Sequence, residues 1–241
     1  MPKRIIQQAR GKGSTTYRAP SFKYKGASQH LGVGKHLSGK VTDIIHCRGH
    51  SAPLISVQFE NKENGLMVAP ESIKIGDVIK YGSQEINNGN CLKLKDLAEG
   101  TVIFNIESCP GDGGKLVRAG GTFAKVMANL NDHVVVVLPS KKQKSFSPEC
   151  RASIGIAAGG GRLEKPLLKA GKKFYKMKAK NKLWPNTSSC SMNAVDHPYG
   201  GSSSSRKGRP TIAPRFAPPG RNVGMLKPRK SGRAKTKRIR G

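Results

Sequence analysis

An aspartate and a histidine stand side by side in the stretch SMNAVDHPYGG, residues 191–201. Asp196 followed by His197 suggests a hydrolase, because a carboxylate can orient an imidazole and serines follow at 202–205. A catalytic triad needs the carboxylate at one ring nitrogen and the nucleophile at the other. Neighbours on an extended chain point to opposite sides, and the sequence has no GxSxG nucleophile elbow. The pattern therefore disfavours hydrolase chemistry, and no catalytic residue is predicted.

The residues that follow this pair favour a binding loop. Pro198 restricts His197 to extended backbone geometry. Gly200 and Gly201 lack a Cβ and therefore allow the backbone to approach a partner closely. We expect such a loop to insert the flat imidazole ring and several hydrogen-bond donors into a partner molecule.

Metal binding has one local candidate, the motif HCRGH, in which His46, Cys47 and His50 could supply three ligands. A closed zinc site needs four nitrogen or sulfur ligands, and no second pair lies nearby in the sequence. We therefore interpret these three as ordinary strand and turn residues and predict no metal site.

Short β-branched runs separated by Gly, Pro and Asn fill the middle of the chain. One series covers residues 41–108 and a second covers 116–161, with a glycine-rich link at 109–115 between them. This spacing is typical of small β-barrels or sandwiches. The sequence therefore predicts a mainly β fold with a domain boundary in the link.

Three local elements stand out within and after these runs. FAKVMANLNDHVVVVLPS, residues 123–140, predicts two strands joined across residues 129–132. Residues 163–180 contain the only plausible short helix, which Gly171 is expected to break or end. LVRAGG, residues 116–121, is expected to contribute a further short strand.

Positive charge is concentrated at both ends of the chain. Residues 1–39 hold eight Lys or Arg and no acid, and residues 185–241 hold 13 with one acid, Asp196. The two ends therefore carry 20 of the 30 excess charges, while residues 40–184 hold 23 basic and 13 acidic residues. Ordering a backbone costs roughly 1–2 kcal/mol per residue, and these ends offer little apolar surface, so we expect extended segments that order on binding.

A net positive charge of this size indicates a polyanionic partner. Nucleic acid is the first candidate and a membrane surface is the second. No run approaches the roughly 20 apolar residues of a spanning helix, and the first residues lack the apolar run of a secretory signal. No membrane association is therefore expected. The five scattered cysteines form no CxxC pair, which is typical of free thiols in a reducing cytoplasm.

Folded RNA fits the pattern better than duplex DNA. Lys and Arg separated by Gly, Ser and Pro can follow a phosphate backbone, and no helix suited to the major groove is apparent. The glycine clusters CPGDGGK and AAGGGR do not match the GxxxxGK[ST] phosphate loop. In so cationic a chain we expect them to let backbone N–H groups approach RNA phosphates. The aromatic residues available to stack on bases are Tyr17, Phe22, Tyr24, Tyr199 and Phe216.

The loop at 191–201 resembles the MNPVDHPHGG loop of the universal large-subunit ribosomal protein L-two family. GKGSTTYRAPSFKYKG is similar to the basic N-terminal extension of the archaeal form. KLVRAGGTFAKVMA and LPSKKQKSFSPECRASIG resemble the family's second barrel, and PRFAPPGRNVG resembles its C-terminal tail. The resemblance covers nearly the whole chain, with Ala194 in place of the usual Pro and Tyr199 in place of the usual second His.

This resemblance implies an OB-like barrel at 40–108 and an SH3-like barrel with a short C-terminal helix at 109–184. A basic N-terminal extension at 1–39 and an extended basic tail at 185–241, which carries the rRNA-contacting loop, flank them. The implied role is non-enzymatic: binding large-subunit rRNA near the peptidyl transferase centre and supporting its architecture, subunit association and translation. Neighbouring ribosomal proteins and an intersubunit contact with the small subunit are implied partners, in a cytoplasmic ribosome.

The residues predicted to bind rRNA combine the loop with cations from both ends and from the glycine-rich turns. They are Arg10, Lys12, Arg18, Lys23, Lys25, Lys115, Arg118, Arg151, Arg162, Asn193, Asp196, His197, Gly200, Gly201, Arg206, Lys207, Arg209, Arg215, Arg221, Lys227 and Arg229. No cofactor of the protein itself is expected, although Mg²⁺ associated with the rRNA could be present. A free RNA chaperone, or another ribonucleoprotein scaffold, is the alternative.

Overall fold

The chain forms two compact units in the computed structural model, which describes residues 5–31, 37–83, 85–202, 216 and 223–224. Residues 20–170 form the first, here called the β unit. Residues 1–19 together with 171–241 form the second, here called the terminal unit.

Ten strands, counted over the described residues, build a single sheet in the β unit. They are β1 (Leu37–Ile45), β2 (Leu54–Phe59), β3 (Asn64–Val68), β4 (Val78–Tyr81), β5 (Cys91–Lys93), β6 (Val102–Phe104), β7 (Ala124–Asn129), β8 (Val134–Val137), β9 (Gln143–Phe146) and β10 (Arg151–Ile154). Their order across the sheet is β3-β2-β1-β4-β5-β10-β6-β7-β8-β9. Neighbours are antiparallel, except that β4 and β5 run parallel at the pair Tyr81 and Cys91. The predicted mainly β fold is confirmed.

Alternating burial explains why these segments are strands. In β8, Val134 and Val136 are fully buried while Val135 and Val137 are partly exposed. Successive strand side chains point to opposite faces, so one valine pair packs into the core. Full burial of such a side chain contributes about 1.5–3 kcal/mol. The largest fully buried apolar side chains are Phe104, Leu54, Ile55, Met67, Ile79, Leu92, Leu94, Leu97, Ile103 and Ile106.

The last strand in chain order lies in the middle of the sheet. β10 pairs with β5 on one side and with β6 on the other, and all four of its residues are buried. A strand of the second predicted series therefore lies between two strands of the first. The OB-like and SH3-like barrel types and the boundary at 109–115 stay predictions.

The predicted hairpin at 123–140 is confirmed, since β7 and β8 pair antiparallel with a bulge between Val126 and Ala128. The expected strand at 116–121 is wrong. Leu116 makes a single isolated bridge with Ile106, and the rest of that segment is a turn built around Gly120 and Gly121. Its backbone bonds go to other loops instead of a neighbouring strand.

Among the described residues, two short α-helices belong to the terminal unit, apart from the first residue of the second helix. Helix α2 (Ala170–Lys178) confirms the helix predicted within 163–180, but Gly171 stands in its first turn and does not end it. Lys176 and Lys178 lie in its last turn, where positive charge favours the helix dipole. Helix α1 (Ile6–Gly11) was not predicted from the sequence. Among the described residues, no helix is both long enough and apolar enough to cross a membrane.

Candidate nucleic-acid interface

The loop at 191–201 folds back on itself through two consecutive turns. The Asn193 carbonyl accepts hydrogen bonds from Asp196 N (3.0 Å) and His197 N (3.2 Å). Gly200 N then donates to the His197 carbonyl (2.9 Å), and Gly201 N donates to Met192 O (3.1 Å). The expectation of an extended chain around Asp196 is therefore wrong, because these bonds place it in a turn.

Both glycines of the loop serve this closure. A Cβ on Gly200 would overlap the Asn193 carbonyl oxygen, so only glycine fits there. Gly201 has φ of 103°, in the region that favours glycine. The close approach that the sequence suggested is made, but within the loop's own backbone.

His197 is turned into the terminal unit with only 9% of its surface exposed. Its Nδ1 accepts a hydrogen bond from Tyr199 N (3.1 Å), and the two rings pack edge to face with centroids 5.0 Å apart. Burial lowers the pKa of His197, which favours the neutral ring. The Tyr199 N–H occupies the nitrogen that a triad carboxylate would orient, so this geometry disfavours the hydrolase alternative.

A cavity of about 1080 Å³ opens beside this loop, with walls drawn wholly from the terminal unit. We call it the terminal cavity. His197, Tyr199 and Asp196 line it together with Arg10 and the backbone of Gly224. The remaining lining residues are Ile5, Ile6, Gln7, Leu183, Asn186, Thr187, Ser188, Ser189, Ser191, Met192 and Asn193. The lining thus combines apolar side chains, hydroxyls and amides with one cation and one carboxylate.

The N-terminal segment and the region after α2 are joined by hydrogen bonds. Asn181 Nδ2 donates to the carbonyls of Thr16 and Arg18, both at 2.7 Å. Tyr199 OH donates to Val223 O at 3.2 Å. The residues that line the terminal cavity likewise come from distant parts of the sequence. No local motif indicates that they meet.

Helix α2 presents a cationic surface that the predicted set did not include. No residue of the helix is buried, and its exposed lysines are accompanied by the exposed aromatics Phe174 and Tyr175. Lys173 Nζ also lies 5.5 Å from the ring centroid of Trp184. The dense lysine spacing after residue 171 was the available signal. The exposed lysines of α2 are Lys172, Lys173, Lys176 and Lys178.

Most of the predicted cations in the described ranges are exposed. In the terminal unit these are Arg10, Lys12 and Arg18, beside the exposed Asn193. In the β unit they are Lys23, Lys25, Lys115 and Arg162. Of the predicted stacking residues, Phe22 and Phe216 are exposed, whereas Tyr24 packs against Gly49. The remaining predicted residues, Arg206, Lys207, Arg209, Arg215, Arg221, Lys227 and Arg229, lie outside the described residues.

Arg118 and Arg151 are directed into the β unit instead. Arg118 donates to the carbonyls of Gly114 (2.9 Å) and Ser28 (2.5 Å). Arg151 donates to the Leu31 carbonyl (2.6 Å) and forms an ion pair with Glu107 (2.8 Å). These guanidinium groups stabilise the β unit from within. Neither of them is therefore part of the interface that we propose for rRNA.

Glu107 is fully buried, and its carboxylate accepts several hydrogen bonds besides this ion pair. Arg151 N (2.9 Å), Gly111 N (3.3 Å) and Gly113 N (3.2 Å) all donate to it. Burial alone would raise its pKa, but the bonds from Arg151 and the backbone outweigh this and lower it. An acid inside the apolar run GTVIFNIES was the sequence signal for such a buried pair.

His30 is a second buried polar residue that the sequence did not reveal. Its Nε2 donates to the Asn105 carbonyl (2.7 Å), and its Nδ1 lies 3.3 Å from Cys91 Sγ. The segment 28–31 also bonds through its backbone to Leu66 and Gly113. Part of the predicted N-terminal extension is therefore held inside the β unit, although the charge pattern gave no hint of this.

In the structure, the residues of the motif HCRGH form an ordinary part of the β unit. Cys47 is buried, and burial alone would raise its pKa, but backbone N–H bonds from Lys25, Gly49 and His50 outweigh this and lower it. His46 is exposed. Over the described ranges, no group of three His, Cys, Asp or Glu side chains is placed to hold a metal ion.

These features define a cationic, mainly β protein whose terminal unit exposes lysines and arginines and contains a cavity lined by Arg10, Asp196, His197 and Tyr199. Residues 87–218 match the family model described as Ribosomal Proteins L2, C-terminal domain. The chain belongs to the L2 family of ribosomal proteins and is of the archaeal type.

Three archaeal relatives document the similarity, each named large ribosomal subunit protein uL2. The protein of Methanocaldococcus jannaschii is 48% identical over 240 residues, covering 96% of this chain and 99% of the relative. That of Methanothermobacter thermautotrophicus is 45% identical, covering 97% and 99%. That of Haloarcula marismortui is 46% identical, covering 97% and 98%.

Proposed function

We propose that the chain is a structural constituent of the large ribosomal subunit that binds large-subunit rRNA. The observation that carries this proposal is the near full-length similarity to archaeal proteins named large ribosomal subunit protein uL2. The exposed cations of the terminal unit supply the counter-charge that rRNA phosphates need when they pack closely. The protein acts as a scaffold and not as an enzyme.

The loop at 191–201 is proposed to lie near the peptidyl transferase centre, with its shape already set by internal hydrogen bonds. Neutral His197 and Tyr199 then contribute ring surface at the wall of the terminal cavity, and no proton transfer is required of them. Neighbouring ribosomal proteins and the small subunit are the further proposed partners, in the cytoplasmic ribosome. These contacts would support subunit association and translation.

Sedimentation separates this proposal from a free RNA chaperone. The tagged chain, expressed in its own cells, is expected to co-sediment with large subunits at a constant ratio to their rRNA. It should stay there after a high-salt wash and be released by ribonuclease. Release by the salt wash alone, or recovery mainly at the top of the gradient, would favour the chaperone instead.

Photo-crosslinking tests the proposed location. Val195 is 45% exposed on the loop, and a photoreactive amino acid there is expected to cross-link rRNA of the peptidyl transferase region. Ile75, which is 63% exposed in the β unit, is the matched control and should give a different set of cross-links. Identical cross-links from both positions, or protein cross-links alone from Val195, would contradict the placement.

A further inference from the structure

Helix α2 carries two aromatic residues side by side among its lysines. Tyr175 has 70% of its surface exposed, and Phe174 has 43%. Residues 171–195 hold six lysines and no acid, so both rings lie in a strongly cationic stretch. A single exposed ring is ordinary on a protein surface. What gives Tyr175 a role is how its ring is held and what surrounds it.

Phe174 holds the Tyr175 ring in place. The two rings pack edge to face, with their centroids 5.5 Å apart and an angle of 77° between their planes. Lys178 Nζ lies 5.9 Å from the Phe174 centroid, within the range of a cation–π contact. Contacts of this kind restrict a side chain before a partner arrives, so less conformational entropy is lost on binding. Tyr175 is therefore an ordered ring that is still accessible.

Lysines flank this ring along the same side of the helix. Residues three apart are neighbours on a helix surface, so the exposed Lys172 and Lys178 lie one turn before and one turn after Tyr175. Gly171 stands four residues before Tyr175, in the turn towards which helical side chains lean. Nothing lies within 4 Å of the position that a Cβ on Gly171 would take, so the space beside that turn is open.

We propose that an unpaired base of the bound RNA stacks on Tyr175 while Lys172 and Lys178 contact the phosphates on either side of it. This rests on the proposed rRNA-binding function and adds to it the place of one base contact. An RNA strand fits this surface better than a protein does, because a nucleotide chain offers a flat ring between two negative charges. Every base has a π face, so no preference among the four bases is expected.

Titration of a large-subunit rRNA transcript at several salt concentrations tests the stacked base. Tyr175→Ala should weaken binding at least about fivefold at every salt concentration, because stacking on an aromatic ring contributes about that much per base. The slope of log affinity against log salt should stay as in the wild-type protein, since the lysines remain. Tyr175→Phe keeps the ring and should bind as the wild-type protein does. Phe123→Ala removes an exposed ring of the β unit and is the matched control, expected to leave binding unchanged.

Equal affinity of Tyr175→Ala and the wild-type protein, or an equal loss in Tyr175→Phe, overturns the stacked base. A salt slope that falls in Tyr175→Ala also overturns it, because the lysines would then have moved with a disturbed helix and the role of Tyr175 would be structural.

Photo-crosslinking gives a second measurement that keeps an aromatic ring at the site. A photoreactive phenylalanine analogue at position 175, in assembled large subunits, should cross-link rRNA. Protein cross-links alone would mean a protein partner and would overturn the proposal. If the wild-type protein binds rRNA but these tests fail, only this inference fails. If the wild-type protein binds no rRNA, the proposed function fails with it.

Discussion

His30 is a titratable residue at a buried position that disfavours a second proton on its ring. Both ring nitrogens already have partners, since Nε2 donates to the Asn105 carbonyl and Nδ1 faces the Cys91 thiol. Burial is the main cause that lowers the pKa of His30 from 6.5 to about 4, and the positive charges of Arg151 and Arg118 act in the same direction. Protonation would therefore leave a buried charge beside two arginines.

The consequence is acid destabilisation of the β unit at mild pH. The folded pKa lies below the unfolded one, so the stabilisation is full above pH 6.5 and is lost as the pH falls towards about 4. A difference of this size corresponds to about 3 kcal/mol. Urea unfolding of wild-type protein should show the free energy of unfolding falling between pH 6.5 and 5, and His30→Gln should flatten this dependence.

His46→Gln is the matched control, because His46 is exposed on the same unit. Its pH dependence should match that of the wild-type protein. If His30→Gln retained the full wild-type slope between pH 6.5 and 5, the acid sensitivity would have to come from another group.

Among the elements, the turn at 119–122 depends on glycine because two backbones meet there. Gly121 N donates to Ala157 O (2.7 Å), and Ala157 N donates to Thr122 O (3.2 Å). Gly121 has φ of 75°, and a Cβ built on it would overlap the Cα of Gly160. The turn and the loop after β10 can therefore approach this closely only without side chains.

A pair of glycine substitutions separates backbone strain from this collision. Gly100→Ala is strained by its φ of 84°, but its nearest contact is Lys125 Cε at 3.8 Å, so about 1–3 kcal/mol is expected from strain alone. Gly121→Ala adds the overlap with Gly160 and should cost about 1–3 kcal/mol more, as overpacking does. Urea unfolding followed by far-UV circular dichroism measures both. Equal losses would mean that the loop after β10 moves away freely.

The elements that the sequence predicted well are those with local causes. The hairpin of β7 and β8 follows from two apolar runs on either side of a short polar turn, and α2 follows from a run of good helix formers. The central place of β10 could not be predicted, because pairing with β5 and β6 joins segments that are far apart in the sequence. The inward direction of Arg151 was hidden for the same reason, since Glu107 and Leu31 are distant along the chain. The motif of the 191–201 loop could be recognised in the sequence, whereas the cavity beside it could not be predicted.

On the scale of the whole molecule, most of the excess positive charge belongs to the terminal unit, and the apolar core belongs to the β unit. The sequence of the terminal unit holds 24 basic residues and one acid, while that of the β unit holds 20 basic and 13 acidic residues. The β unit carries the strands and the buried apolar clusters. Under the proposed function, the β unit supplies a rigid body and the terminal unit supplies most of the electrostatic attraction to rRNA.

This division predicts which lysines govern the salt dependence of rRNA binding. Each phosphate contact adds about 0.7–0.9 to the slope of log affinity against log salt, so replacing four contacting lysines should lower the slope by up to about 3. The four α2 lysines, changed together to Gln, are expected to approach that limit.

A control protein with four exposed β-unit lysines changed to Gln has the same net charge, and its slope should fall by less. These control positions are Lys62, Lys74, Lys141 and Lys142. Titration of a large-subunit rRNA transcript at several salt concentrations measures both slopes. Equal losses would mean that net charge alone sets the attraction, and that α2 has no privileged place against the RNA.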